Sequence, residues 1–155
     1  MLLSKCRLSN NRLDNFLLSK QTLGNFYLDG TVSGIELIKL AESEGYGGTI
    51  QSLAFDGTYL YAGGVTTQKV WKINPSNMSK VAESADYGGI IWSLASDGTY
   101  LYVGGQTTQQ KVWKINPSNM SKVAESANYG GTIYAIAFDG TYLYVGGSGT
   151  TQKVW

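Results

Sequence analysis

The chain has 155 residues, 43% hydrophobic and 15% charged, which is globular composition in an amount that suits one domain. With 12 Lys and Arg against 11 Asp and Glu, no strong field gathers DNA, RNA or an anionic membrane surface, so nucleic acid is not an expected partner. Histidine is absent and Cys6 is the single cysteine, which removes the common zinc ligand sets, a disulfide within the chain and imidazole-based general base catalysis.

From the N-terminus, MLLSKCRLSNNRLDNFLL breaks its apolar run at Ser4 and Lys5 and shows no small-residue cleavage site, so it makes a poor signal peptide. No stretch is long and apolar enough to span a bilayer, and membrane insertion is not expected. The sequence therefore assigns no compartment. Residues 1–34 contain an echo, LDNFLL at Leu13 and LGNFYL at Leu23 with SKQT between them, which predicts a hairpin. This strand-rich segment reads either as an attachment arm or as a degenerate extra copy of the repeat that follows.

Residues 35–155 are dominated by that repeat. YGGTIQSLAFDGTYLY at Tyr46 returns as YGGIIWSLASDGTYLY at Tyr87 and YGGTIYAIAFDGTYLY at Tyr129, a period of roughly 42 residues that suits a repeated four-stranded unit. In the first copy TIQSLAFD is short and mostly apolar or small, as expected of a strand (a) packed on both faces. The Asp-Gly-Thr at Asp56, Asp97 and Asp139 signals a tight turn into the Tyr-rich TYLYAGG, strand b. In KVWKIN, strand c, Val70 and Lys72 share one face while Trp71 and Ile73 share the other. Asn74-Pro75 then predicts a type I turn into SKVAES, the outer strand d.

Four antiparallel strands per unit, joined by short turns, describe a propeller blade. The runs DGTYLYVGG and TTQKVWKINPSNM resemble kelch-like and quinoprotein-like β-propeller repeats, although the Gly-His and Trp-Asp signatures of WD repeats are missing. The alternative is a β-trefoil, which also has three units of this length and whose Gln-x-Trp lectin motif is faintly similar to the QKVW here. The third copy reaches only strand c at Trp155. Upstream of the first, Glu36, Leu37, Ile38, Lys39, Leu40, Ala41, Glu42 and Ser43 match a strand d, with Ala41, Glu42 and Ser43 standing where Ala82, Glu83 and Ser84 stand. The order is d-abcd-abcd-abc. The resemblance implies closure of a ring by a strand from one terminus, and three blades are too few for a ring. The expectation is a homodimer with a six-bladed ring in which each chain lends residues 36–43 to the other, a domain swap.

The copies differ before strand a at Glu44, Asp86 and Asn128, early within it at Gln51, Trp92 and Tyr134, and in the loops that begin at Val65, Gln106 and Ser148. All of these belong to one end of the blades. Loops on a rigid scaffold carry binding function, so Gln51, Trp92, Tyr134, Asp86, Asn128 and Gln106 are the candidate ligand residues, aromatic groups beside polar ones that suit a sugar or peptide. Drift at tolerant positions after duplication explains the same differences. Tyr59, Tyr61, Trp71 and their copies read as core packing, and the repeated Asp as turn chemistry rather than a metal site. No cofactor and no catalytic residue is expected, because near-identical copies offer the same few groups three times over. The functional expectation is a non-enzymatic structural and interaction module that self-assembles and offers a loop face to a protein or glycan, suited to a virion or cell-surface assembly. The alternative is a lectin with one sugar site per repeat.

Overall fold

The computed structural model describes residues 39–149 and 154–155, so the expected hairpin and the arm-or-blade question at residues 1–34, with Glu36, Leu37 and Ile38, lie outside the described residues. The described strands are β1 Ile50–Phe55, β2 Leu60–Gly64, β3 Trp71–Ile73, β4 Lys80–Glu83, β5 Ile90–Ser96, β6 Leu101–Gln106, β7 Trp113–Asn116, β8 Ser121–Glu125, β9 Ile133–Phe138 and β10 Leu143–Gly147. They form antiparallel sheets in the orders β1-β2-β3-β4, β5-β6-β7-β8 and β10-β9. Beside β10, Trp155 N–H donates to Val145 O at 3.0 Å and Val145 N–H donates to Trp155 O at 2.9 Å. Trp155 thus takes the place that Trp71 has opposite Ala62 and Trp113 has opposite Val103. Each sheet keeps its strands to itself, so these are propeller-type blades and not the shared barrel of a trefoil.

The a-to-b turn is built by one carboxylate. Asp56 Oδ1 accepts the Thr58 and Tyr59 backbone N–H groups at 2.8 and 2.7 Å, with Gly57 at φ 94°. The second oxygen, Oδ2, accepts the Tyr61 hydroxyl at 2.6 Å. Asp97 and Asp139 repeat this with Tyr102 and Tyr144. The c-to-d connection differs from the expected type I turn: Met78 N–H donates to Asn74 O, four residues back, at 2.7 Å, and Met78 sits at φ 59°. Asn74 and Asn77 cause the longer loop, since their side-chain oxygens accept the Ser76 and Ser79 N–H groups at 2.9 and 3.1 Å.

The blades stack in series. β1 packs on β5 and β5 on β9, while β1 and β9 do not touch, so the described blades form an open arc. Tyr61, Val70, Ile91, Leu101 and Val103 belong to the core between the first two blades, and Val112, Tyr129, Ile133 and Val145 to that between the second and third. Side-chain oxygens join blade to blade: Ser52 Oγ accepts Leu94 N–H and Ser93 Oγ accepts Ile136 N–H, each at 2.9 Å. Strand a is packed on both faces only where a blade precedes it. Ile91 is buried, but its counterpart Ile50 is 43% exposed and Leu53 is 57% exposed, because among the described residues no blade covers them.

Candidate functional site

An antiparallel meander puts the β1–β2 and β3–β4 turns at one end of a blade, and the β2–β3 loop and the link to the next blade at the other. Gln106, Asp86, Asn128 and the starts of β1, β5 and β9 all lie at this second end. There the pairing slips once in every blade. Ile50 pairs with Gly64 but Ser52 with Gly63, which leaves Gln51 as the extra residue of a β-bulge. The same slip leaves out Trp92 in β5 and Tyr134 in β9. Bulges re-aim a side chain and recur beside functional sites, and the most divergent position of strand a is the bulge residue each time. The sequence signal for the bulge is the Gly-Gly pair opposite it: a Cβ on Gly64, Gly105 or Gly147 would collide with the carbonyl oxygen of Thr49, Ile90 or Thr132.

Trp92 and Tyr134 meet edge to face, with centroids 6.0 Å apart at 69°. The Trp92 indole N–H is buried and has no hydrogen-bond partner among the described residues. Gln51 is exposed at the corresponding bulge of β1. Asp86 and Asn128 have a local task instead: their Oδ1 atoms accept the Gly88 and Gly130 N–H groups at 2.7 and 2.6 Å, fixing the turn into strand a. Gln106 is the exposed last residue of β6. The structure therefore brings together two of the six candidates, Trp92 and Tyr134.

The charged groups are engaged in structure. Burial raises the Asp97 carboxyl, but the Tyr100 N–H, the Tyr102 hydroxyl, the Thr99 N–H and Lys114 together lower it by more, so it stays below the ordinary carboxylate range. Burial and that carboxylate push the Tyr102 hydroxyl up to about 12. On the outer strands, Lys111 and Lys122 bind Glu125 and hold it down at about 2, and Lys69 and Lys80 lower Glu83 in the same way. Lys80 lies 4.2 Å from the Trp71 ring centroid and Lys122 lies 4.4 Å from that of Trp113. Among the described residues no three His, Cys, Asp or Glu cluster as a metal site, and no helix is long and apolar enough to cross a membrane. The Asp–Tyr bond of each turn is invisible to a reading of the strands one at a time, because its partners stand across the hairpin.

No protein-family model and no curated protein matches the chain. Among solved structures, hydrazine synthase of Kuenenia stuttgartiensis is similar over 62% of this chain and 29% of its own length, with a TM-score of 0.55 and 18% identity. At that identity the likeness speaks for the blade fold alone.

Proposed function

We propose that the chain is a non-enzymatic structural and interaction module that pairs with a second copy to complete a six-bladed ring and presents its bulge-and-loop end to a protein or glycan. The observation that carries this reading is the state of residues 39–43. They repeat the chemistry of an outer strand without belonging to a sheet of their own chain. Lys39 pairs with Glu42 at 2.7 Å, as Lys80 does with Glu83 and Lys122 with Glu125, each at 2.8 Å. Leu40, by contrast, is 87% exposed. A row of unpaired backbone groups at a sheet edge is a template for another strand.

The register follows from the other blades. Glu83 and Glu125 stand opposite Trp71 and Trp113, so Glu42 of the second copy belongs opposite Trp155. The Ser84 and Ser126 hydroxyls accept the Val70 and Val112 N–H groups at 2.9 and 3.0 Å, a place that Ser43 takes for Val154. A cavity of about 320 Å³ beside Leu143, Val145 and Trp155 completes the picture. In the preceding interface Met120 belongs to the corresponding core, and Leu37 holds Met120's place in the lent segment. The finer kinship to kelch-like or quinoprotein-like repeats, and a setting in a virion or on a cell surface, belong to the same reading.

Light scattering tests it. The full chain is expected at dimer mass, and removal of residues 1–43 is expected to leave monomers or aggregates. A monomeric full chain would overturn the assembly.

The Trp92–Tyr134 pair favours a second reading, a sugar-binding site. Base-free aromatic faces beside polar loops suit sugar stacking. Tryptophan fluorescence that shifts with a simple sugar in the parent chain, and not after Trp92→Ala, is the expected result; a blank glycan array with no shift would remove the lectin.

A further inference from the structure

Between blades the chain uses one contact twice. At Gly63 of the first blade, a Cβ would lie 3.2 Å from the Ile91 Cβ and 3.3 Å from Leu94 Cδ1 of the second. At Gly104 of the second, it would lie 3.2 Å from the Ile133 Cβ and 2.8 Å from Ile136 Cδ1 of the third. In both cases a glycine on strand b leaves a socket, and two aliphatic side chains of the next strand a fill it. The third blade has the socket without the knobs: nothing lies within 4 Å of a Cβ at Gly146. A recess of about 510 Å³ opens there, lined by Tyr134, Ala135, Gly146, Gly147 and Ser148. The first blade has the knobs without the socket, since Ile50 and Leu53 hold the positions of Ile91 and Leu94 and are exposed.

We infer that the Gly146 recess receives Ile50 and Leu53 of a second copy, so that the joint between chains repeats the joint between blades. This rests on the dimeric ring proposed above and adds to it a second contact, distinct from the lent strand. The occupant is a second copy because the knobs that fit are those of this chain, and because the contact continues an interface already present twice. Related by a two-fold axis, two such joints close the ring. The joint differs from its models in one atom. Ser52 and Ser93 each accept an N–H from the following blade, whereas Ala135 stands at their position and offers no oxygen to Leu53 N–H. The junction between copies is therefore the weakest of the three.

Two chains in a Cys6→Ser background, one with Ile50→Cys and the other with Gly146→Cys, test this after mixing and mild oxidation. The equivalent Cβ separations of 3.2 Å are close to the ~3.5–4.5 Å of disulfides. The expected product is a covalent dimer that reductant splits and that neither variant forms alone. Ala135→Ser is expected to restore the missing bond and tighten the dimer about five-fold at each joint. Dimers by light scattering that neither cross-link nor respond to Ala135→Ser would overturn the socket while leaving strand exchange standing. With both cysteines in one chain, a bridge within a monomer would overturn it too. A full chain that is monomeric throughout would instead remove the assembly on which the socket rests.

Discussion

Replacing Ile91 with alanine is expected to lower the stability of the isolated chain by about 2–5 kcal/mol, the usual range for a large buried aliphatic. Ile91 is fully buried, at the start of β5, and its branched side chain fills the space above Gly63. Nothing can collapse into that space, because the opposing surface is backbone. Ile133→Ala, at the same place between the second and third blades and equally buried, is expected to cost a similar amount. Ile50→Ala provides the internal control. The residue type and strand position are the same, but the side chain is partly exposed, so below the dimer's dissociation concentration the cost should stay under about 1 kcal/mol. Denaturant midpoints for the three variants check the ranking, and equal losses at positions 50 and 91 would contradict the described packing.

The second large effect is acid lability concentrated in the a-to-b turns. Asp56, Asp97 and Asp139 are all held below the ordinary value of 3.8, and Glu83 and Glu125 below 4.5. With folded values depressed, the unfolded chain takes up protons first as pH falls. The stabilisation is complete above the ordinary values of 3.8 and 4.5, and it disappears as pH descends through the folded values toward about 2, that of Glu125. Denaturant midpoints should accordingly be level from neutral pH to about pH 5 and fall below it. Asp97→Ala is expected to cost about 2–3 kcal/mol at neutral pH, since it strands two backbone donors and a tyrosine hydroxyl. It should also flatten the acid limb of the pH curve. Asp97→Asn, which keeps one acceptor oxygen, should lie between the two.

The meander was legible because its punctuation is local: Asp-Gly-Thr, the Tyr-rich strand and Asn-Pro-Ser-Asn each act within a few residues. Burial was not, since it depends on which blade lies alongside. Tyr61 is fully buried while Tyr144, in an almost identical run, is 42% exposed, and no property of the tyrosine separates them. The bulge at Gln51, Trp92 and Tyr134 also escaped, because slipped pairing is a property of two strands and the glycines that permit it read first as a turn signal. The same holds for Asp86 and Asn128. Their variability suggested ligand contact, yet an Asp and an Asn cap the same glycine turn equally well, so exchange between them carries little information about a ligand.

The middle blade leans on a neighbour at either side, and each outer blade on one. In a linear array whose units borrow stability from adjacent units, local opening starts at the ends and reaches the centre last. Proteases and amide exchange would therefore meet the first and third blades before β5 and β6. A closed ring removes that hierarchy: once every blade has two neighbours there is no end from which to unravel, and longevity becomes a property of the ring rather than of the chain.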